Sequence, residues 1–149
     1  MPTSLYDANL WVAIAFAAHP HFEVASKHFA QLDSARPGAF CRATQQSFLR
    51  LITTPALHRA YAVAPIGNAS AWEKCQKLLS LPQILWLDEP AELSDLWHHL
   101  ASLPTASPKV WMDAYLAAFA IGHDLEFVTL DGDFKRFVKD GLKLKLLTP

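Results

Sequence analysis

The chain alternates short apolar runs with longer segments in which apolar side chains recur every three or four residues. Short runs are typical of buried strands, and the longer spacing is typical of helices that pack on one side. We predict strands at residues 4–6, 39–41, 84–87, 127–130 and 142–147. We predict helices at residues 10–18, 22–32, 44–52, 70–81, 89–100, 109–121 and 133–139. This alternation indicates an α/β sandwich built on a largely parallel sheet.

Capping residues and prolines set the expected ends of these helices. Asn9 is expected to cap the first helix, and Pro20 to end it, because the residue before a proline avoids the helical conformation. Ser107 is expected to cap the helix at 109–121. Residues 56–65 show no clear period and are expected to be irregular.

Composition places the chain among compact globular proteins. With 149 residues and 52% hydrophobic side chains, the length fits a single domain over residues 1–149. The candidate linkers at 62–68 and 103–108 are too short to separate two cores. Cys41 and Cys75 are too few for a disulfide scaffold and are expected to be reduced core thiols of a cytoplasmic protein.

The apolar run at residues 10–18 superficially resembles the core of a signal peptide. No basic segment precedes it, and Asp7 stands where Lys or Arg would be expected. The run is also shorter than the ~20 residues that a membrane span needs. We therefore predict a buried helix and no membrane association. The net charge of −1 disfavours a globally basic nucleic-acid binder but is compatible with a local basic patch.

Four carboxylates stand apart from the other acidic residues. Asp7, Asp131 and Asp133 directly follow predicted strands, where open α/β sheets place their binding sites. Asp113 lies among Trp111, Met112 and other apolar side chains of a helix, where an unpaired carboxylate is costly. Taken singly, Asp7 fits a helix cap, and Asp131 and Asp133 fit a turn in which Asp133 caps the next helix.

Taken together, the four carboxylates indicate a metal site. Anions that meet at one place raise each other's pKa unless a cation neutralises them. Hard oxygen ligands without His or Cys suit Mg²⁺, or Mn²⁺, better than Zn²⁺.

Four segments carry a resemblance to a known family: LYDANLWVA, TQQSFLRLIT, WMDAYLAAFA and TLDGDF. In this order and spacing they resemble the PIN domain and, more narrowly, the VapC toxins of bacterial toxin–antitoxin pairs. The resemblance implies a three-layer α/β/α sandwich with a central, mostly parallel sheet. It also implies a metal-dependent ribonuclease that cuts structured cellular RNA such as tRNA or rRNA. It also implies a homodimer and inhibition by a small cognate antitoxin protein.

The resemblance assigns expected roles to individual residues. Asp7 and Asp113 would bind the metal, Asp131 would bind it directly or through water, and Asp133 would orient a water or complete a second site. Thr44 and Gln45 would act through hydrogen bonds at the rim. Gln45 is a departure, because the family usually has a glutamate there, and Gln brings no charge. Glu89 is the nearest spare acid at a strand end, although a helix-entry position explains it as well.

Basic residues near the acidic motifs are candidates for binding RNA phosphates. These residues are Arg42, Arg50, Lys109, Lys135 and Arg136. Arg50 fits equally well as the partner of a carboxylate at the edge of the site. The basic stretch from Lys135 to Lys145 also fits an ordinary solvated helix and edge strand.

Several alternatives remain open on the sequence alone. The apolar stripes of helices 10–32 and 70–81 fit a second subunit or an antitoxin helix as well as they fit the core. The chain could be a PIN nuclease of RNA maturation or DNA processing, or a catalytically weak PIN-like module that binds RNA or protein. An aspartate phosphotransfer protein fits poorly, because no lysine follows on a later strand in the needed place.

Overall fold

The computed structural model describes residues 3–149. Its elements, in chain order, are β1 (Ser4–Tyr6), α1 (Ala8–Ala15), α2 (Phe22–Phe29), β2 (Gly38–Phe40), α3 (Arg42–Ile52), α4 (Pro55–Ala60), α5 (Asn68–Leu79), β3 (Ile84–Trp86), α6 (Leu93–Ala101), α7 (Pro108–Gly122), β4 (Glu126–Thr129), a 3₁₀ helix (Gly132–Asp140) and β5 (Lys143–Leu146).

The strands form one five-stranded sheet in the order β3-β2-β1-β4-β5, and all neighbouring strands are parallel. Leu5 of β1 pairs with Ala39 on one side and with Phe127 on the other. The predicted α/β class with a parallel sheet is therefore confirmed. Because β1 is central and β4 lies beside it, the residues that follow these two strands come together at one edge of the sheet.

Successive strand residues point to opposite faces of the sheet, and each face has its own core. Leu5 and Phe127 contribute to the core on the side of α6, α7 and the 3₁₀ helix. Tyr6 and Val128 contribute to the core on the side of α1, α2, α3 and α5, where Trp11 is fully buried. The sheet is thus covered by helices on both faces, as the three-layer prediction requires.

The ends of two helices differ from the prediction. Asp7, not Asn9, caps α1, and its side chain accepts a hydrogen bond from the backbone N–H of Ala8. The helix ends at Ala15, because Phe16 already has an extended backbone. Ser107 occupies the position before α7 but makes no capping hydrogen bond through its side chain.

Three further predictions were wrong in detail. Residues 55–60 form the short helix α4, which begins at a proline and is too brief to show a period. The predicted start of α6 at residue 89 moves to Leu93, because Glu92 has a φ of 63°. The three-to-four-residue spacing of helix 70–81 places Trp72 on its apolar side with Cys75, Leu78 and Leu79, but Trp72 is 51% exposed.

Two other expectations concern chemistry rather than topology. Cys41 and Cys75 are both buried and free, as predicted for core thiols. No helix formed by residues 3–149 combines the length and the apolar character needed to cross a membrane.

Candidate active site at the carboxyl ends of β1 and β4

Two neighbouring strands and one helix assemble the acidic residues. Asp7 follows β1, and its backbone N–H donates to the carbonyl of Val128 in β4 at 2.9 Å. Asp131 follows β4 after one intervening residue and caps the 3₁₀ helix, accepting from the N–H of Asp133 at 2.9 Å. The cap of this helix is therefore Asp131, not Asp133 as one interpretation of the sequence had it. The helix α7 supplies Asp113 from its second turn.

Lys109 ties three of the four carboxylates together. Its ammonium donates to Asp133 Oδ2 at 2.6 Å and to Asp131 Oδ2 at 2.8 Å. Asp113 Oδ2 lies 3.4 Å from the same nitrogen, in an i,i+4 pair along α7. One positive charge thus faces three negative charges, and the cluster keeps a negative excess.

Thr129 connects the fourth carboxylate to this cluster. Its hydroxyl donates to Asp7 Oδ2 at 2.7 Å and accepts from the backbone N–H of Asp131 at 3.0 Å. The amide nitrogen of Asn9 contacts the same hydroxyl oxygen at 3.4 Å. Thr129 and Asn9 were not predicted to belong to the site. The sequence offers only a weak signal for Thr129, a threonine near the end of an apolar strand that leads into the acidic turn.

Burial and crowding shift the pKa values of the carboxyl groups. Burial raises the pKa of Asp7 to about 6, against the hydrogen bonds from Thr129 and Ala8. Burial also raises the pKa of Asp113, with further increases from Asp131 and Asp133 and a partial decrease from Lys109. For Asp131, burial acts upward, but the bonds from Lys109 and from the Asp133 N–H outweigh it and lower the pKa. The two more deeply placed carboxyl groups, those of Asp7 and Asp113, therefore have raised pKa values, chiefly because burial disfavours their charged forms.

The residues present fit a divalent cation of the hard type. All four acidic side chains offer carboxylate oxygens, the ligands that Mg²⁺ and Mn²⁺ prefer. Asn9 adds a buried Oδ1 that has no hydrogen-bond partner within residues 3–149. In the conformation described, no three acidic, His or Cys side chains of these residues converge closely enough to hold a metal ion. The ammonium of Lys109 lies where it binds three of the carboxylates, as a cation would.

Thr44 and Gln45 are engaged elsewhere. The Thr44 hydroxyl accepts from the Cys41 N–H at 3.0 Å and thereby caps α3. Gln45 is buried, and its Oε1 accepts from the Arg42 guanidinium at 2.6 Å, while its amide nitrogen lies 4.0 Å from Cys75 Sγ. No hydrogen bond joins either side chain to the four carboxylates within residues 3–149. A catalytic role for these two residues stays a prediction.

Apart from Lys109, the other residues proposed from the sequence lie outside the carboxylate cluster. Glu89 Oε2 accepts from the Tyr115 hydroxyl at 2.7 Å. The Arg42 guanidinium lies 4.6 Å from the centre of the Trp86 ring. Among the basic candidates, Lys109 alone forms ion pairs with the acidic cluster in the part of the chain that is described. Arg50, Lys135 and Arg136 are exposed and remain available for other partners.

Comparison with known proteins identifies the family to which this chain belongs. The PIN domain family model matches residues 5–140. Ribonuclease VapC41 of Mycobacterium tuberculosis is 38% identical over 144 residues, which cover 96% of this chain and 97% of that protein. The chain therefore belongs to the PIN domain family and, within it, to the VapC family.

Solved structures show the same fold at low sequence identity. VapBC2 from Rickettsia felis, bound to a DNA fragment from its promoter, superposes with a TM-score of 0.68 and 16% identity, covering 98% of this chain and 99% of that one. Mycobacterium tuberculosis VapC20, described as a sarcin–ricin loop cleaving toxin, gives 0.63 and 18%, covering 94% and 96%. At these identities the likeness supports the fold alone.

Proposed function

We propose that this protein is the metal-dependent endoribonuclease toxin of a toxin–antitoxin pair. The observation that carries the proposal is the convergence of Asp7, Asp113, Asp131 and Asp133 from three separate segments onto one edge of the sheet. Such a concentration of negative charge, of which Asp113 is buried and Asp7 and Asp131 are partly buried, is costly to fold, and a site that binds a cation for catalysis explains why it is present. The match to VapC41 over nearly the whole length of both chains supports the same activity.

The site suits hydrolysis of a phosphodiester bond. A bound Mg²⁺ or Mn²⁺ lowers the pKa of a water molecule and neutralises charge on the phosphate. Asp7 and Asp113 would hold the ion directly, and Asp131 would hold it directly or through water. Asp133, which is more exposed than the others, would orient a water or complete a second site.

RNA binding requires positive charge around this negative pocket. Lys109 borders the carboxylates, and Lys135 and Arg136 are exposed on the 3₁₀ helix that follows Asp131. Arg42 and Arg50 would extend the contact along α3. A basic rim of this kind offsets the repulsion between the acidic pocket and the RNA backbone, although the whole chain has a net charge of only −1.

The proposed substrate is a structured cellular RNA, tRNA or rRNA. Proteins select RNA sequences mainly in unpaired loops, where single bases can be reached. The sarcin–ricin loop, which VapC20 is described as cleaving, is a loop in this sense. The bond cut by the present protein must be identified from the ends of the RNA fragments.

The proposed partners are a small antitoxin protein and a second copy of the chain, in the cytoplasm. Several solved neighbours, including VapBC2, are toxin–antitoxin complexes, which supports an antitoxin partner. The antitoxin would have to block the acidic pocket or its basic rim in order to inhibit cleavage.

One observation favours a second candidate function. Gln45 is neutral where the resemblance to the family leads us to expect a glutamate, and its side chain is bound to Arg42 rather than to the carboxylates. A catalytically weak PIN module that binds RNA or protein would have this property. Growth arrest and RNA cleavage on expression would exclude this candidate.

The test compares the wild type with Asp113→Asn. We expect the variant to lose RNA cleavage by at least about 100-fold, because a neutral amide removes a metal ligand. The readout is sequencing of RNA ends after brief induction, together with the cleavage rate of purified protein in Mg²⁺ and in EDTA.

The matched control is Asp124→Asn. Asp124 is exposed, and its carboxylate pairs with Lys143 at 2.6 Å, away from the acidic cluster. The same change of charge there should leave cleavage at the wild-type rate. Cleavage by Asp113→Asn at the wild-type rate, or undiminished cleavage in EDTA, would contradict the proposal.

A further inference from the structure

Lys109 is unusual among the basic residues because all of its ion pairs are with the proposed metal ligands. Its ammonium lies 2.6, 2.8 and 3.4 Å from carboxylate oxygens of Asp133, Asp131 and Asp113. Its side chain is nevertheless 58% exposed, so that the charged end is reached by solvent. The three carboxylates are thus held close together by a cation that belongs to the chain itself.

A divalent ion and this ammonium compete for the same oxygens. Mg²⁺ binds oxygen at about 2.0–2.1 Å. An ion bound to Asp131 Oδ2 would stand within a few ångströms of a nitrogen that donates to that same atom. Two positive charges so close together repel strongly, since the energy of a charge pair rises as the distance falls.

We propose that Lys109 is an exchangeable internal counter-ion, which holds the carboxylates in the metal-free protein and is displaced when the divalent ion binds. This inference rests on the proposed metal site, and it adds a step to metal binding rather than to hydrolysis. The long, flexible side chain of lysine suits such an exchange. Unlike the guanidinium of arginine, its ammonium does not hold carboxylates in a rigid two-point contact that would have to be broken. Once displaced, it remains tethered to the first turn of α7, where it can contact an RNA phosphate.

The decisive variant is Lys109→Met, which keeps the length of the side chain and removes its charge. Isothermal titration calorimetry with Mg²⁺ and with Mn²⁺ is expected to show about tenfold tighter binding than in the wild type, because the competing cation is gone. In EDTA the thermal midpoint of the variant should fall, since three carboxylates then repel one another without compensation. Saturating Mg²⁺ should restore it.

Lys143→Met is the matched control. Lys143 also forms a short ion pair, at 2.6 Å from Asp124, and its side chain is 53% exposed. The variant changes the net charge by the same amount without touching the acidic cluster. Its metal affinity is expected to stay within about twofold of the wild type.

The outcomes separate this inference from the proposed function. Equal or weaker metal binding by Lys109→Met, with binding by the wild type intact, overturns the exchange and leaves the nuclease proposal standing. A failure of both proteins to bind either ion overturns the exchange, and the metal dependence with it.

A measurement on the wild type covers the case in which Lys109→Met does not fold. Nitrogen NMR of the lysine ammonium groups, with Lys109 assigned by its loss in Lys109→Arg, should show a signal protected from solvent exchange in EDTA. Saturating Mg²⁺ should remove that protection. A Lys109 signal that stays protected in Mg²⁺ would overturn the proposal.

Discussion

Polar residues follow the end of a strand both at the acidic edge beside β1 and β4 and at the neighbouring corner between β2 and α3. The two regions differ in whether these side chains are satisfied by nearby groups. In the corner, Thr44 is satisfied by the backbone of Cys41, and Gln45 by the guanidinium of Arg42. At the acidic edge, Asp7 and Asp113 remain short of positive charge, and their pKa values are raised. A polar residue at a strand end therefore indicates a reactive site when its charge is not compensated. It has a structural role when its hydrogen bonds are made to nearby groups.

Among the changes that test this comparison, Thr129→Val has the largest expected effect on the acidic edge. It keeps the shape of a fully buried side chain and removes its hydroxyl. Asp7 loses a hydrogen bond, and the Asp131 N–H loses its acceptor, at a cost of about 1–3 kcal/mol in unfolding free energy. We expect RNA cleavage to fall about 10- to 100-fold, because the two carboxylates are no longer fixed relative to each other. The cleavage rate per folded molecule and urea unfolding measure both effects.

Two controls sharpen the Thr129 experiment. Thr129→Ser keeps the hydroxyl and should recover most of the activity. Thr53→Val removes a hydroxyl that donates to the Leu49 carbonyl at 2.8 Å, outside the acidic edge, and should cleave like the wild type. Equal activity of Thr129→Val and Thr53→Val would show that Thr129 does not organise the site.

The next effect concerns stability and pH. The pKa of Asp7 is about 6 in the folded protein, above its ordinary value of 3.8, so ionisation of Asp7 destabilises the fold as the pH rises through that window. The shift corresponds to at most about 3 kcal/mol. In EDTA, Asp7→Asn should therefore be about 1–2 kcal/mol more stable than the wild type at pH 7.5, less than the full shift because one hydrogen-bond acceptor is lost.

The pH dependence identifies the cause of that gain. Because Asp7 becomes protonated in both the folded and the unfolded state only below its ordinary pKa of 3.8, the advantage of Asp7→Asn should shrink as the pH falls and vanish at about pH 3. Urea unfolding at a series of pH values measures it. A gain that is the same at pH 4 and pH 7.5 would show that ionisation of the buried Asp7 carboxyl group is not its origin.

The smallest expected effect on cleavage is that of Gln45→Ala. The hydrogen bonds of Gln45 are made to Arg42 in the same helix and to Cys75 of α5 rather than to the carboxylates, so cleavage should fall by no more than about threefold. Stability should fall by about 1–3 kcal/mol, because the change leaves a cavity in a buried position. A loss of cleavage beyond tenfold in protein that remains folded would place Gln45 in the catalytic set.

The sequence predicted most of the sheet and the set of acidic residues, for a shared physical reason. Apolar runs and carboxylates next to strands are local patterns, and the strand ends that carry them meet at one edge in any parallel sheet. Such local patterns could not predict the roles of Thr129 and Lys109. Each depends on which oxygen its side chain meets across the sheet or along α7, and a buried threonine or an exposed lysine is ordinary in sequence. The helix α4 was not predicted, because six residues are too few to show a helical period.

The order of strands has a consequence for the protein during synthesis. The central strand β1 emerges first, but its neighbour β4 is made near the end, and 122 residues separate Asp7 from Thr129, to which it is hydrogen-bonded. A ribosome that has made three quarters of the chain therefore holds a polypeptide without an assembled acidic edge. The acidic edge can therefore assemble only after β4 and the residues that follow it have left the exit tunnel.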